Sequence, residues 1–188
     1  MKKSLIEAVS HITDSVGESL PLTFDVEGLK ALLYRAAAEE IQAFYQYILP
    51  AKFLVGNLRP DVEREFVENA KDELDDHFEK ILTRLNQLGA DVTPISDLYT
   101  LNQVAVGKYI APTAPYDVLK LIDDNITAEK DAIKTYTEIC KYCEGQDWVT
   151  FNMSRSILSD EEEHLTDLED LRNDIVSAAQ NTTVTVTY

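Results

Sequence analysis

The 188-residue chain is 45% apolar and carries 34 acidic against 17 basic residues, which gives a formal net charge of −17. This length suits one domain with a substantial core. So acidic a surface repels nucleic-acid phosphates and attracts cations, although it also serves simply to keep a protein soluble. No apolar run approaches the roughly 20 residues of a membrane span, and two cysteines are too few for a disulfide framework, so we expect a cytoplasmic protein without membrane contact.

The chain is predicted to be all-α, because its periodic apolar segments are far longer than strands and most prolines and glycines fall between them. A short amphipathic helix is expected at about residues 4–15. Four long helices follow at about residues 26–55, 60–88, 115–144 and 148–178, and Pro50 is expected to kink the first of them.

The connection between the second and third long helices, residues 89–114, is longer than neighbouring antiparallel helices need and can cross the bundle. Short first and third connections with a long middle one match a ferritin-like four-helix bundle, in which one crossover joins two hairpins. We therefore predict a leader with a short helix at 1–25, the bundle at 26–178 and a tail at 179–188. The tail is polar and β-prone, and we expect it to be disordered or to pack against a neighbouring subunit.

Each of the four long helices carries glutamate on its apolar stripe, although a carboxylate on a bundle helix normally faces solvent. On the fourth helix, for example, Glu161 and His164 share a face with Ile157, Leu168 and Leu171. The inward-facing polar residues of all four helices are Glu40, Glu73, His77, Glu129, Glu161 and His164.

Four buried glutamates would be strongly destabilising if they were left ionised and unpaired. Two divalent cations would neutralise them, and each of the two histidines could cap one ion through a neutral ring nitrogen. The chain order of these residues is also the ligand pattern of di-iron carboxylate bundles. We therefore predict a two-metal site formed by all six, holding two Fe ions, or Mn or Zn in their place.

One spacing departs from that pattern, because Glu73 and His77 are four residues apart where three are usual. Both spacings keep the pair on one face of a helix. A local π-bulge, or replacement of one ligand by Asp72 or Asp76, is therefore left open.

Two segments resemble the metal motifs of bacterioferritins: ILSDEEEHLTDLEDL at 157–171 and EIQAFYQYILPA at 40–51. The segments EKDAIKTYTEIC at 129–140 and DDHFEKILTRLNQLGA at 75–90 are similar to Dps-like proteins that combine a bacterioferritin-type metal site with a Dps-type shell. The resemblance covers about residues 26–178. It implies a di-iron ferroxidase that oxidises Fe(II) with hydrogen peroxide or oxygen. It also implies a hollow homo-oligomer of about a dozen subunits that stores ferric mineral and protects against oxidative stress.

The resemblance also bears on other residues. Tyr47 lies seven residues after Glu40 and matches a bacterioferritin tyrosine that could donate an electron, although a core tyrosine with a satisfied hydroxyl is an equal alternative. Bacterioferritins bind haem through a methionine of the second helix, where this chain has none, so we expect no haem. Cys140 and Cys143 are either a local redox pair or thiol metal site near the centre, as Dps-like proteins suggest, or two reduced helical cysteines.

Two other functions use the same residues differently. A manganese catalase or a rubrerythrin-like peroxidase would keep the six ligands without storing metal. A structural or DNA-compacting shell would keep only a vestigial site. DNA binding is not expected, because the only lysines near the amino terminus are Lys2 and Lys3.

Overall fold

The computed structural model describes residues 24–91 and 117–183, with side chains described up to residue 180. Within these ranges the chain forms helices, turns and caps and no strand, which confirms the predicted all-α class. The short N-terminal helix, nearly all of the crossover and the end of the tail lie outside the described residues.

Four long helices form the described bundle. Helix α1 is Val26–Phe53, α3 is Val118–Cys143 and α4 is Trp148–Thr183. Helix α2 spans residues 59–87 without interruption and consists of the α-helical Arg59–Lys71, the π-helical Asp72–Phe78 and the α-helical Glu79–Gln87. Helix α4 thus continues five residues beyond the expected end at 178, because the polar residues that follow position 178 still form helical hydrogen bonds.

Side-chain caps and glycines set the ends of these helices. Asp25 and Asp117 accept hydrogen bonds from backbone N–H groups in the first turns of α1 and α3, and Asp147 does the same for α4. Gly89 and Gly145, with φ of +66° and +73°, end α2 and α3 in the left-handed conformation that glycine adopts without steric cost. Short connections at residues 54–58 and 144–147 join the helices into two helical hairpins, α1–α2 and α3–α4.

The core of the bundle is divided into two apolar clusters. One cluster contains Tyr47, Phe66, Ile122 and Leu168, and the other contains Leu33, Ile81, Tyr136, Ile139 and Ile157. On every helix the inward-facing polar residues lie in sequence between members of the two clusters. The fold thus places a layer of glutamates and histidines between the two apolar clusters. None of the helices in the described ranges is long and apolar enough to cross a membrane.

Candidate metal centre

The polar layer consists of the six side chains that the sequence singled out. Their exposed fractions run from 0% to 6%. Ionised groups this deeply buried require a compensating partner, because removing each charge from water costs several kcal/mol even after the surrounding protein relaxes. The structure places all six in the layer, and they are Glu40, Glu73, His77, Glu129, Glu161 and His164.

One half of the layer is formed around His77. Its Nδ1 lies 3.5 Å from Glu40 Oε2, 3.2 Å from Glu73 Oε2 and 3.3 Å from Glu161 Oε1. One ligand atom from each of these four residues lies within 4.8 Å of the others. That spacing lets a single cation contact all four after small side-chain adjustments, because metal–ligand bonds to oxygen and nitrogen are about 2.0–2.2 Å long.

The other half is formed around His164. Its Nδ1 lies 3.4 Å from Glu161 Oε2 and 3.7 Å from Glu73 Oε1, and Glu129 completes a second four-residue group within the same 4.8 Å limit. Glu73 and Glu161 therefore belong to both groups, whereas Glu40 and Glu129 each belong to one. The arrangement has two cation positions with two carboxylates shared between them.

Unpaired polar atoms test whether a metal suits this arrangement. Both carboxylate oxygens of Glu161, one oxygen of Glu73 and Nδ1 of His164 make no hydrogen bond and are shielded from solvent. Buried polar atoms normally find partners, so several orphans in one layer indicate a missing positive group. All of them are oxygen or imidazole nitrogen donors, which suit Fe, Mn and Zn ions. The residues present fit a pair of divalent cations.

The irregular spacing on α2 is explained by a π-helical turn. Residues Asp72–Phe78 are π-helical and include both Glu73 and His77. A π turn closes its hydrogen bonds one residue later than an α turn, so four residues cover the rotation that three cover elsewhere. Glu73 and His77 therefore both reach the layer, and of the alternatives left open by the sequence the π-bulge is the one that the structure shows.

Electrostatics in the layer hold protons on several of its side chains. Burial, together with the charge of Glu73, raises the pKa of Glu40 well above its usual value, and burial with the charges of Glu73 and Glu161 does the same for Glu129. Burial alone would lower the pKa of His164, but the nearby carboxylates of Glu161 and Glu73 outweigh it and raise the pKa to about 11. The pKa of His77 is raised for the same reasons. Without metal, protons supply the compensating charge.

Two tyrosines hold the carboxylates that belong to one half only. The Tyr47 hydroxyl on α1 donates to Glu129 on α3, and the Tyr136 hydroxyl on α3 donates to Glu40 on α1. Burial and the neighbouring glutamate raise the pKa of both hydroxyls, so both remain protonated donors. Tyr136 received no role from the sequence, yet it follows Glu129 by the same seven residues that separate Tyr47 from Glu40. That repeated spacing was the signal for it.

The outer ring nitrogens of the two histidines face aspartates. His77 Nε2 lies 3.4 Å from Asp160, and His164 Nε2 lies 3.5 Å from Asp72. These distances are longer than a good hydrogen bond, but they place an aspartate beside each outer nitrogen while Nδ1 faces the glutamates, the order of groups found in carboxylate–histidine–metal sites. Each aspartate directly precedes the shared glutamate of its own helix, so Asp72 lies behind the centre and Glu73 lies in it.

The cysteines lie apart from the layer of ligands. Cys140 Sγ contacts the carbonyl of Phe151 at 3.9 Å, and both thiols are free. Burial is the main cause that raises the pKa of Cys143 to about 12, and the negative charge of Asp147 acts in the same direction. This thiol is therefore protonated at neutral pH. Among the described residues, no group able to hold a metal includes either sulfur.

Comparison with known proteins agrees with the fold. The profile of the ferritin-like domain matches residues 30–177, which is most of the chain. The chain belongs to the ferritin-like family. A DNA protection during starvation protein from Pyrococcus furiosus is 33% identical to this ferritin-like chain over 151 residues, which cover 78% of each protein.

Solved structures of the ferritin-like family show the same bundle. The bacterioferritin-related protein of Bacteroides fragilis, described as a dodecameric thioferritin, is 35% identical with a TM-score of 0.77, covering 86% of this chain and 94% of its own. A ferritin-like diiron-carboxylate protein of Bacillus anthracis is 20% identical with a TM-score of 0.66, covering 80% and 99%. The second similarity concerns the fold alone.

Proposed function

We propose that the protein is a ferroxidase that binds two ferrous ions in the polar layer, oxidises them and stores the ferric product. The observation that carries this proposal is the pair of four-residue groups that share Glu73 and Glu161. Shared carboxylates hold two ions close together, which is the arrangement that a two-electron oxidant requires. Glu40 with His77, and Glu129 with His164, would each complete one ion's coordination.

The proposed reaction balances in electrons and protons. Two ferrous ions give up one electron each, the O–O bond of hydrogen peroxide breaks, and two protons are taken up to form two water molecules. With dioxygen as the oxidant, the same two electrons and two protons give hydrogen peroxide. Oxygen-rich coordination favours the ferric product, so carboxylate ligands drive the reaction forward. Consuming ferrous iron together with peroxide would also suppress radical chemistry and protect the cell.

The two tyrosines are proposed to keep the terminal carboxylates in place. Tyr47 and Tyr136 each donate one hydrogen bond to a glutamate that only one ion would contact. Such outer hydrogen bonds orient ligands and tune a metal site. Tyr47 is in addition a candidate electron donor, because its hydroxyl contacts a proposed ligand directly.

Storage requires a cavity, and we propose a hollow homo-oligomer of about a dozen subunits in the cytoplasm, without haem. Support comes from the Bacteroides fragilis relative, which is described as dodecameric and shares 35% identity over most of both chains. The net charge of −17 per chain is consistent with attracting iron rather than DNA.

Metal analysis combined with particle sizing tests this function. We expect about two tightly bound ions per chain before loading, and hundreds of iron atoms in a particle of about a dozen subunits after ferrous salt and peroxide are added. The Glu73→Ala/Glu161→Ala variant should bind neither ion and oxidise iron no faster than buffer does.

Other outcomes would favour the competing functions. A dimer that never exceeds two ions per chain but decomposes peroxide would favour a manganese catalase or a rubrerythrin-like peroxidase. A shell that binds no metal and retards DNA in a gel at low salt would indicate a DNA-compacting role; the Pyrococcus furiosus relative is named for DNA protection.

A further inference from the structure

Two cavities adjoin the polar layer from opposite sides of the bundle. One of about 100 Å³ lies between α1 and α3, and its lining includes the four glutamates of the centre. The other, of about 350 Å³, lies between α2 and α4, and its lining includes both histidines. Each is large enough for several water molecules, so each could admit a hydrated ion. Their linings decide which one leads to the metal positions.

The α2–α4 cavity is lined by both imidazole rings and by none of the four glutamates of the centre. His77 and His164 face this cavity with their outer nitrogens, each of which lies near an aspartate, while their Nδ1 atoms face the glutamates. The ring centroids are only 5.8 Å apart. A cation arriving from this side would therefore meet the imidazole rings and the aspartates beside them, such as the group of Asp76, His77 and Asp160, before it reached the shared glutamates.

The α1–α3 cavity opens directly onto carboxylate oxygens. Glu161, which is 0% exposed and whose two oxygens make no hydrogen bond, contributes to its lining, as does Glu73 with its unpaired Oε1. Ala43, Ala128 and Ala132 contribute the small side chains that keep the passage open. No histidine lines this cavity, so a cation entering here meets negative oxygen atoms at once.

Two oxygen donors lie beside the ligands in the α1–α3 cavity. Arg35 Nε donates a hydrogen bond of 2.9 Å to Oε1 of Glu39. The other carboxylate oxygen, Glu39 Oε2, and the amide oxygen, Gln42 Oε1, are buried and make no hydrogen bond. Both residues line the cavity. Unpaired oxygens in a passage towards a cation site are suited to hold a divalent ion briefly while it loses part of its water shell.

We propose that divalent cations reach the metal centre through the α1–α3 cavity and that Glu39 Oε2 and Gln42 Oε1 form a transit site on this route. This inference rests on the proposed two-metal function and names the path by which the ions arrive. Glu39 and Gln42 act on the rate of arrival, because neither belongs to the groups that share Glu73 and Glu161.

Stopped-flow binding of Co²⁺ to the full-length protein, followed by cobalt absorbance, tests the route without any oxidation. Glu39→Gln removes the transit charge, and Ala132→Leu narrows the passage with a residue that also favours helix. Both should slow association by about tenfold, the lower range for electrostatic guidance of an ion. Calorimetry should still find about two ions per chain at equilibrium. The matched control is Glu163→Gln, which makes the same change in the α2–α4 cavity and should leave the rate unaltered.

The opposite results would overturn the route. Slower association in Glu163→Gln with a normal rate in Glu39→Gln and Ala132→Leu would place the path on the histidine side. Normal rates in all three variants would exclude a transit role for Glu39. Failure of the unaltered protein to bind two Co²⁺ ions would be a different result, because it would overturn the proposed function itself.

Discussion

Among single residues, Glu73 and Glu161 differ from Glu40 and Glu129 in one respect. The first two contribute oxygen atoms to both groups of candidate ligands, and the second two contribute to one group each. The loss of a shared carboxylate removes a ligand and a negative charge from both cation positions. The loss of a terminal carboxylate affects only the nearer position.

We therefore predict different stoichiometries for two conservative substitutions. Glu161→Gln should reduce tight binding of Co²⁺ or Zn²⁺ from about two ions per chain to none, because the amide supplies neither position with an anionic bridge. Glu129→Gln should retain one ion, in the half around His77. Isothermal titration calorimetry on both variants, with circular dichroism to verify the helices, measures the difference. Equal losses in the two variants would argue against shared ligands.

The paired tyrosines give a second prediction for single residues. Tyr47→Phe and Tyr136→Phe each remove one hydrogen bond to a terminal glutamate, and each should weaken binding of one ion by about 10- to 100-fold, as outer partners of metal ligands usually do. If Tyr47 also donates an electron, only Tyr47→Phe will slow iron oxidation when both positions are saturated with Fe²⁺. Tyr136→Phe is the matched control, and equal oxidation rates in the two variants would leave both tyrosines with positioning roles alone.

Among the elements, the π-helical turn of α2 is the least regular and is also the one that carries two candidate ligands. Its extra residue is accommodated within Asp72–Phe78, so the flanking segments keep their core residues, Phe66 and Ile81, in the interior. A π turn arises where one residue is inserted into an α-helix and the remainder of the helix keeps its register.

Deleting the exposed Asp75 should therefore convert the π turn into an α-helix rather than unfold the protein. The spacing between the glutamate and the histidine becomes three residues, and the variant should still bind about two ions with an unchanged or higher melting temperature. The control deletes the exposed Thr83, which lies in an α-helical segment. That deletion rotates Leu85 by about 100° out of the core and should lower the melting temperature markedly. Similar damage in both deletions would contradict this explanation of the turn.

Helix periodicity was sufficient to predict the four helices and the six residues of the polar layer, because Glu40, for instance, lies on the same stripe as Leu33 and Tyr47. Contacts between side chains of different helices could not be predicted from periodicity. The Asp160 carboxylate lies near a histidine of α2, and no spacing within α4 indicates that partner. The cavity beside Glu39 depends on the distance between α1 and α3, which a one-dimensional pattern does not contain.

At the scale of the whole molecule, the polar layer connects folding stability to pH. The pKa of His164 is raised from 6.5 to about 11 in the folded protein, so its imidazolium stabilises the metal-free fold below about pH 6.5 and loses that contribution as the pH rises towards 11. His77 acts in the same direction, as do Glu40 and Glu129, whose raised pKa values mean that the folded state holds their protons more tightly.

The metal-free protein should accordingly become less stable between pH 6.5 and pH 9. Each proton that only the folded state retains lowers the free energy of unfolding by about 1.4 kcal/mol for every pH unit of increase. In a domain of this size, a loss of 1 kcal/mol lowers the melting temperature by about 2–4 °C. We expect the melting temperature to fall by more than about 5 °C over this range. With saturating Zn²⁺ the trend should vanish, because the cations replace the protons, and binding should release protons to the buffer. A melting temperature of the metal-free protein that increases with pH would contradict this linkage.

The two hairpins repeat one arrangement. Glu40 and Tyr47 on α1 correspond to Glu129 and Tyr136 on α3, and the aspartate–glutamate pair before His77 corresponds to the pair before His164. Exchanging the hairpins would therefore leave the chemistry around the centre nearly unaltered. Hydrogen peroxide and dioxygen, the two oxidants that we propose, each contain two equivalent oxygen atoms, so either molecule would present the same atom to the same surroundings at both ends if it lay between the cation positions. An oxidant with two unlike ends would find no such equivalence.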